Sequence, residues 1–414
     1  MKNNDYNKPK IDEIEYYLNS LYEFRNDVVS KVIQWRKKGA ESYEILNQSN
    51  LEVDLYRSGF KGFKDPLNAL LSSDYVPKYN PFEEYFLTLP KWNTSDKSMI
   101  ENLLSFVRLE DESKREFFNC MVKKHLVRAV GCVLRKIGFN KHCLVLVGKQ
   151  HDGKTSFIRN LCPTPLKAYY LENPPLDHKD SSIELSRNLI INLDELEKLD
   201  KQDANKIKSL FSQESPKVRL NYDKFSVKME RYASFFGTTN DSEFLNDVTG
   251  NVRWLVFEID GITHDNGGSN GYMPVSIDSV WSEALHLLEN GFEYNLNTKE
   301  IEQIEAINRK HQRLTTEIEL MQKYFEPCPE NDKEAIFVQS SDLIDCLGYA
   351  CNHQFKINSV IIGKALTYLG YKRHSKRING KNPIYGYYVK PMNEVIKAKI
   401  ANSSYYLLQE STTL

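Results

Sequence analysis

The octapeptide Gly148-Lys149-Gln150-His151-Asp152-Gly153-Lys154-Thr155 constrains this chain more than any other segment. It follows an apolar run at 143–147, Cys-Leu-Val-Leu-Val. A short buried strand, the pattern G-x-x-x-x-G-K-T and then helix-forming residues together make a phosphate-binding loop. The two glycines let the backbone curl, so that its N–H groups converge on phosphate oxygens. Lys154 is expected to reach the β- and γ-phosphates, and the Thr155 hydroxyl to hold Mg²⁺. The helix that follows turns its positive end toward the same phosphates. A glycine-rich turn arising by chance is the bland alternative, and the apolar strand before it argues against that.

A fold built around such a loop needs a parallel sheet, and residues 141–260 supply the pattern for one. Strand-like runs at 143–147, 188–193, 232–238 and 253–259 alternate with polar helical stretches. Strands alternating with helices imply an α/β core with both sheet faces covered. Residues 1–140 read instead as a helical N-terminal region, from apolar spacings such as Ile11, Ile14, Leu18 and Val122, Leu126, Val130. The core extends to 295. A helical connector covers 296–334, with one long helix expected from about 297 to 325. At 335–392, two helices are followed by strand-like runs around Asn379-Gly380, a hairpin signal. That order is the plan of a winged-helix domain. Residues 393–414 form a tail of undecided structure.

Bulk composition narrows the setting. The chain has 414 residues and a net charge of −1, so contact with nucleic acid must come from local basic patches. Seven cysteines include no C-x-x-C pair, which suits a reducing compartment and argues against a zinc site. The polar N-terminus lacks the apolar stretch of a signal peptide, and no run reaches membrane-spanning length. These features lead to the expectation of a cytoplasmic protein without a membrane partner.

Hydrolysis requires more than a phosphate loop. Asp194-Glu195 stand at the carboxyl end of the second strand, where ligands of parallel sheets bind. Asp194 is expected in the Mg²⁺ shell and Glu195 as the general base on the attacking water. A solvated, acidic helix start would look the same in isolation. The third strand ends in Gly237-Thr-Thr-Asn240, and Asn240 is a candidate to orient the water; a plain turn is the alternative. Arg253 enters the fourth strand and is a candidate to stabilise charge in phosphoryl transfer, often from a neighbouring subunit, or else a surface ion-pair residue.

Basic residues that could meet a DNA backbone fall in two places. Lys217, Arg219 and Lys224 alternate with apolar residues as in an exposed hairpin, where they could equally guard a sheet edge. Lys372, Arg373, Lys376, Arg377 and Lys381 lie on the proposed wing, and Lys364 lies in the helix before it. A protein-docking module with a solvated basic face is the competing reading of that domain.

Taken in order, these segments resemble the virulence-associated protein E family. The resemblance rests on Tyr79-Asn-Pro81, Leu89-Pro-Lys-Trp92, Leu146-Val-Gly-Lys-Gln150 with Gly153-Lys-Thr155, and Asn192-Leu-Asp-Glu-Leu196. It continues through Gly237-Thr-Thr-Asn240 and Gly250-Asn251 with Arg253-Trp254, and covers roughly residues 70–290. Val252 stands where the family commonly carries a second arginine. The resemblance implies a P-loop ATPase of the superfamily 3 helicase type, AAA+-like, using ATP and Mg²⁺ and assembling as a homo-oligomeric, hexameric ring on DNA. It implies Walker A roles for Lys154 and Thr155, Walker B roles for Asp194 and Glu195, the sensor role for Asn240 and the arginine finger for Arg253. Many relatives carry a primase upstream. Residues 1–140 lack acidic strand motifs or zinc cysteines for that chemistry, so a separate primase partner is expected. The expected activity is an ATP-dependent DNA helicase or translocase in replication of a mobile element or prophage. An ATP-gated DNA-binding regulator without unwinding activity is the alternative.

Overall fold

The computed structural model describes residues 11–176, 178–218, 226–245, 251–264, 270–352, 356–377 and 383–401. The chain divides into two compact units, Met1–Ser242 with Val252–Ile307, and Glu243–Asn251 with Asn308–Leu414.

In the first unit, the largely apolar runs become strands. Cys143–Val147, Ile190–Leu193 and Ser234–Thr239 are buried at every position. A strand covered on both faces has no solvent side, so its sequence does not alternate. The six-stranded sheet runs in the order Val107–Leu109, Trp254–Ile262, Cys143–Val147, Ser234–Thr239, Ile190–Leu193, Tyr170–Glu172. All neighbours are parallel except the edge strand Val107–Leu109, which pairs antiparallel with Trp254–Ile262. Helices Arg115–Val133 and Ile277–Glu289 pack against each other. They place Phe118, Leu126, Trp281 and Ala284 in one apolar cluster with Leu144, Leu146, Phe236 and Phe257. The Trp281 indole also donates to the Leu161 carbonyl at 2.8 Å, fixing the end of helix Lys154–Asn160.

The N-terminal region departs from the all-helical expectation. After helix Ile11–Leu21 the chain forms a hairpin of Tyr22–Asp27 and Val32–Lys37, flanked by Glu44–Ile45 and Lys78–Tyr79 in a four-stranded sheet. Tyr22 and Phe24 are buried while Glu23 and Arg25 are not, so a period-two pattern sits within a mostly helical neighbourhood. The turn is made by Lys31 at φ 62 instead of by a glycine, which hides it from a search for turn residues. This sheet has its own core, including Ile14, Leu18, Phe24, Leu51, Leu55 and Leu67. Helix Arg115–Val133 and the edge strand Val107–Leu109 fall before residue 141, yet belong to the central sheet and its core.

The long helix expected from 297 to 325 is two helices, Thr298–Lys310 and Thr316–Tyr324. Thr315 caps the second one, accepting from the Ile318 N–H. The backbone between them is diverted into pairing: Leu245 N donates to His311 O at 3.0 Å, and Arg313 N to Leu245 O at 2.9 Å. In the second unit, helices Ser340–Ala350 and Ser359–Tyr368 precede strands Arg373–Lys376 and Ile384–Pro391, which pair antiparallel. Ile384–Pro391 also pairs with Phe325–Pro327 and Ile336–Val338. Met321, Val338, Leu343, Leu347, Ile362, Leu366 and Val389 form the core of this unit. The turn expected at Asn379-Gly380 lies outside the described residues. In the tail, Glu394–Ala401 is helical.

Candidate nucleotide-binding site

The site is built by strand register. Val147 is paired with Thr239, and Leu193 with Gly237. The residues that leave these strands therefore emerge at one edge of the sheet: Gly148, Asp194 and Asn240. Here the loop curls through His151 at φ 72 and Gly153 at φ 81. The left-handed region is open to glycine but costs a side-chain-bearing residue such as His151 about 1 kcal/mol. A Cβ on Gly153 would also come within 3.2 Å of the His264 ring.

Lys154 is buried, with 6% of its surface exposed. Its ammonium donates to Gly148 O at 2.7 Å, Lys149 O at 2.6 Å and Asn240 Oδ1 at 3.0 Å. Burial pulls its pKa below the ordinary lysine value, against the opposing pull of Asp152, Glu197 and Asp194. Thr155 Oγ1 donates to Asp194 Oδ1 at 2.9 Å, and the Thr238 hydroxyl donates to the same oxygen. The Asn173 side chain accepts from the Asp194 N–H at 2.9 Å, anchoring the strand exit. A cavity of about 370 Å³ opens here, lined by Gln150, His151, Asp152, Gly153, Lys154 and Thr155 of the loop and by Asp194, Glu195, Thr238, Asn240 and His264.

The donor set suits Mg²⁺. A hydroxyl and one carboxylate, Thr155 and Asp194, face each other beside the loop, and Mg²⁺ is commonly held by one or two carboxylates together with substrate phosphates. A site of that type needs no cluster of protein ligands. Among the described residues, no group of three or more His, Cys, Asp or Glu side chains could hold a metal by itself.

The two acidic candidates face different ways. Asp194 points into the cluster, whereas Glu195 takes a left-handed backbone at φ 56 and pairs with Lys198 at 2.5 Å, its side chain about half exposed. Arg253 is not among the convergent groups. Trp254 is paired with Cys143, so Arg253 precedes the amino end of its strand. The loop lies beyond the carboxyl end, roughly 16 Å further along at about 3.3 Å per residue. Of the basic candidates, Lys217, Lys364, Lys372, Arg373 and Arg377 are exposed, and the Arg373 guanidinium lies 4.6 Å from the Tyr385 ring centre. Lys376 is half-buried in the same strand. Arg219, Lys224 and Lys381 lie outside the described residues.

The sequence left four residues of the site unremarked. Thr238 binds Asp194, Glu197 binds Asn240, His264 faces the loop, and Ser156 lines both this cavity and a neighbouring one of about 610 Å³. Ser156 adjoins a recognised motif and Thr238 lies inside one, so both could have been found by asking what else stands at those strand ends. Glu197 and His264 carry no local signal, since only the fold brings them to the loop.

A family model for the virulence-associated protein E-like domain matches residues 87–313. The chain belongs to this family. The match spans the loop, both strand exits and the sheet that carries them, so the convergent residues lie inside the family's domain. No curated protein matches the chain. Among solved structures, the chain is similar to the apo C-terminal region of NrS-1, at 13% identity and a TM-score of 0.45, covering 91% of this chain and 98% of that one. It is also similar to a protein described as an active helicase, the SCCmec type IV Cch, at 10% identity and a TM-score of 0.38, covering 92% and 94%. Among the described residues, no helix is long and apolar enough to cross a membrane.

Proposed function

We propose that this protein is an ATP-driven DNA helicase or translocase that serves replication of a mobile genetic element or prophage. The observation that carries the reading is the convergence of Lys154, Thr155, Asp194 and Asn240 on one cavity beside a G-x-x-x-x-G-K-T loop. The adjoining cavity supports a nucleotide over a bare phosphate. It meets the first at Ser156, and Asn160 is among the residues that line it.

On this reading the core is a P-loop ATPase of the AAA+-like, superfamily 3 type. Backbone N–H groups of 148–155 cradle the phosphates, and Lys154 exchanges its carbonyl partners for β- and γ-phosphate oxygens. Thr155 and Asp194 would hold Mg²⁺, which would supply charge neutralisation at those oxygens. Glu195 leaves Lys198 and takes a proton from the attacking water. The water oxygen bonds to the γ-phosphorus as the bond to the β–γ bridging oxygen breaks, releasing ADP and phosphate. Arg253 is remote from its own chain's loop, so it would act on a neighbour's site in a closed, hexameric ring. The second unit, a winged helix in this reading, offers Lys364, Lys372, Arg373, Lys376 and Arg377 to DNA, and priming falls to a separate primase.

ATP turnover measured with and without single-stranded DNA, alongside unwinding of a forked duplex, tests the proposal. Stimulation by DNA together with strand separation is the expected result. Slow turnover indifferent to DNA would replace the motor with a nucleotide-gated regulator. Glu195→Gln is expected to bind ATP and leave it intact; undiminished turnover in that variant would assign the base elsewhere.

A further inference from the structure

We propose that Glu197 is a positioning residue that sets the orientation of the Asn240 amide, so that Asn240 meets the attacking water with its carbonyl oxygen. The inference rests on the hydrolytic reading above and assigns a role to a residue outside the recognised motifs.

Asn240 stands between two groups of opposite hydrogen-bonding character. On one side its Oδ1 accepts from the Lys154 ammonium at 3.0 Å. On the other its Nδ2 donates to Glu197 Oε1 at 3.1 Å, and its backbone N–H to Glu197 Oε2 at 3.4 Å. A lysine ammonium can only donate and an ionised carboxylate can only accept. An amide placed between them has one orientation that satisfies both, so the assignment of its oxygen and nitrogen is fixed by chemistry.

The turn that carries Glu197 is itself anchored. Leu196–Lys198 is a single short helical turn in which Leu196 is buried. Leu196 Cδ1 lies 2.9 Å from where a Cβ on Gly237 would fall, so the turn is seated against the strand that leads into Asn240. The neighbouring acids thus divide their tasks. Glu195 faces Lys198 at the exposed rim, and Glu197 faces the amide.

Nucleotide binding changes one side of this arrangement. Lys154 directs its ammonium at three oxygens, those of Gly148, Lys149 and Asn240. When phosphate draws Lys154 away, Asn240 Oδ1 loses its donor while Nδ2 keeps Glu197. The amide then offers an acceptor to the cavity. A water there can donate one hydrogen to Asn240 Oδ1 and give the other to Glu195, leaving an oxygen lone pair for the γ-phosphorus. Without Glu197 the amide is free to rotate and present its NH₂ to phosphate, where it binds nucleotide without orienting the water.

A double-mutant cycle tests this, with Glu197→Ala, Asn240→Ala and the pair compared to wild type for kcat and for affinity toward a fluorescent, slowly hydrolysed ATP analogue. Losing one hydrogen bond to a charged group predicts about a tenfold fall in kcat for Glu197→Ala, with analogue affinity little changed. The same substitution should cost nothing further once Asn240 is alanine, because coupled residues are non-additive. Glu197→Gln keeps an acceptor for Nδ2 and should recover most of the rate. Equal losses in both backgrounds would show a role independent of Asn240 and overturn the proposal, as would an unchanged kcat in Glu197→Ala. A folded wild-type protein that hydrolyses no ATP would instead remove the hydrolytic reading, and the role of Glu197 with it.

Discussion

Lys154 shows how much of the site is already arranged before a ligand arrives. It is buried, yet each oxygen it touches is a neutral carbonyl or amide acceptor, a set that a triphosphate can displace. Lys154→Ala is expected to abolish ATP binding, as read by titration of a fluorescent analogue; normal affinity would separate the loop from the nucleotide. Gly237 is a quieter determinant. A Cβ there would lie 2.9 Å from Leu196 Cδ1 and 3.3 Å from Leu193 O, so Gly237→Ala should destabilise the protein by about 1–3 kcal/mol in urea denaturation and disturb the turn bearing Glu197. At this scale the sequence was legible where chemistry is carried by neighbours in the chain. Lys154 and Thr155 sit in one motif, and Asp194 and Asn240 each leave a strand. It was illegible for Glu197 and His264, because nothing in a short turn or a loop says which side chains point inward until the strands are in register.

Strands and helices were readable to the extent that their burial was uniform. The central strands announced themselves as apolar runs. The hairpin of Tyr22–Asp27 and Val32–Lys37 did not, since a six-residue alternation is easily absorbed into the helical spacing around it. The break between Lys310 and Thr316 was equally hidden, because it depends on pairing with Leu245, far away in sequence. Helix Arg115–Val133 carries a further consequence. Its His125 is buried beneath the sheet, with its ring 4.7 Å from that of Phe236, and His142 is buried at the entry to strand Cys143–Val147. Burial, reinforced by the nearby Arg128, holds His125 at about 3 and His142 at about 2. In the unfolded chain both return to about 6.5. Between those limits the unfolded state binds more protons, so stability is full above about pH 6.5 and declines as pH falls, by up to about 1.4 kcal/mol per pH unit for each histidine. Urea midpoints recorded from pH 7.5 down to 5.5 should drop accordingly, and a His125→Gln variant should show a shallower slope. A midpoint independent of pH in that range would mean that these rings titrate in the fold as they do in the unfolded chain.

Across the molecule, the family's domain occupies the middle of the chain, and both units contain residues on either side of the Arg253 strand's entry. Arg253 lies at the opposite edge of the sheet from its own loop, so its proposed role belongs to an assembly. Arg253→Ala should keep nucleotide affinity and lose turnover. Titrated into wild type at fixed total protein, it should depress activity more steeply than its share of subunits, whereas strictly proportional loss would confine each site to one chain. The division into units was only partly legible, because composition shows no linker at either crossing. The chain leaves the first unit after Ser242, contributes Glu243–Asn251 to the second, and re-enters at Val252. There Leu245 is paired with His311 and Arg313, and the Arg313 side chain donates to Glu243 O at 2.7 Å. Anyone who trims the chain after residue 307 to isolate the half that carries residues 148–155 will keep this strip and discard what it pairs with, in the stretch between Asn240 and Arg253. A workable fragment has to be spliced across 243–251, not merely shortened.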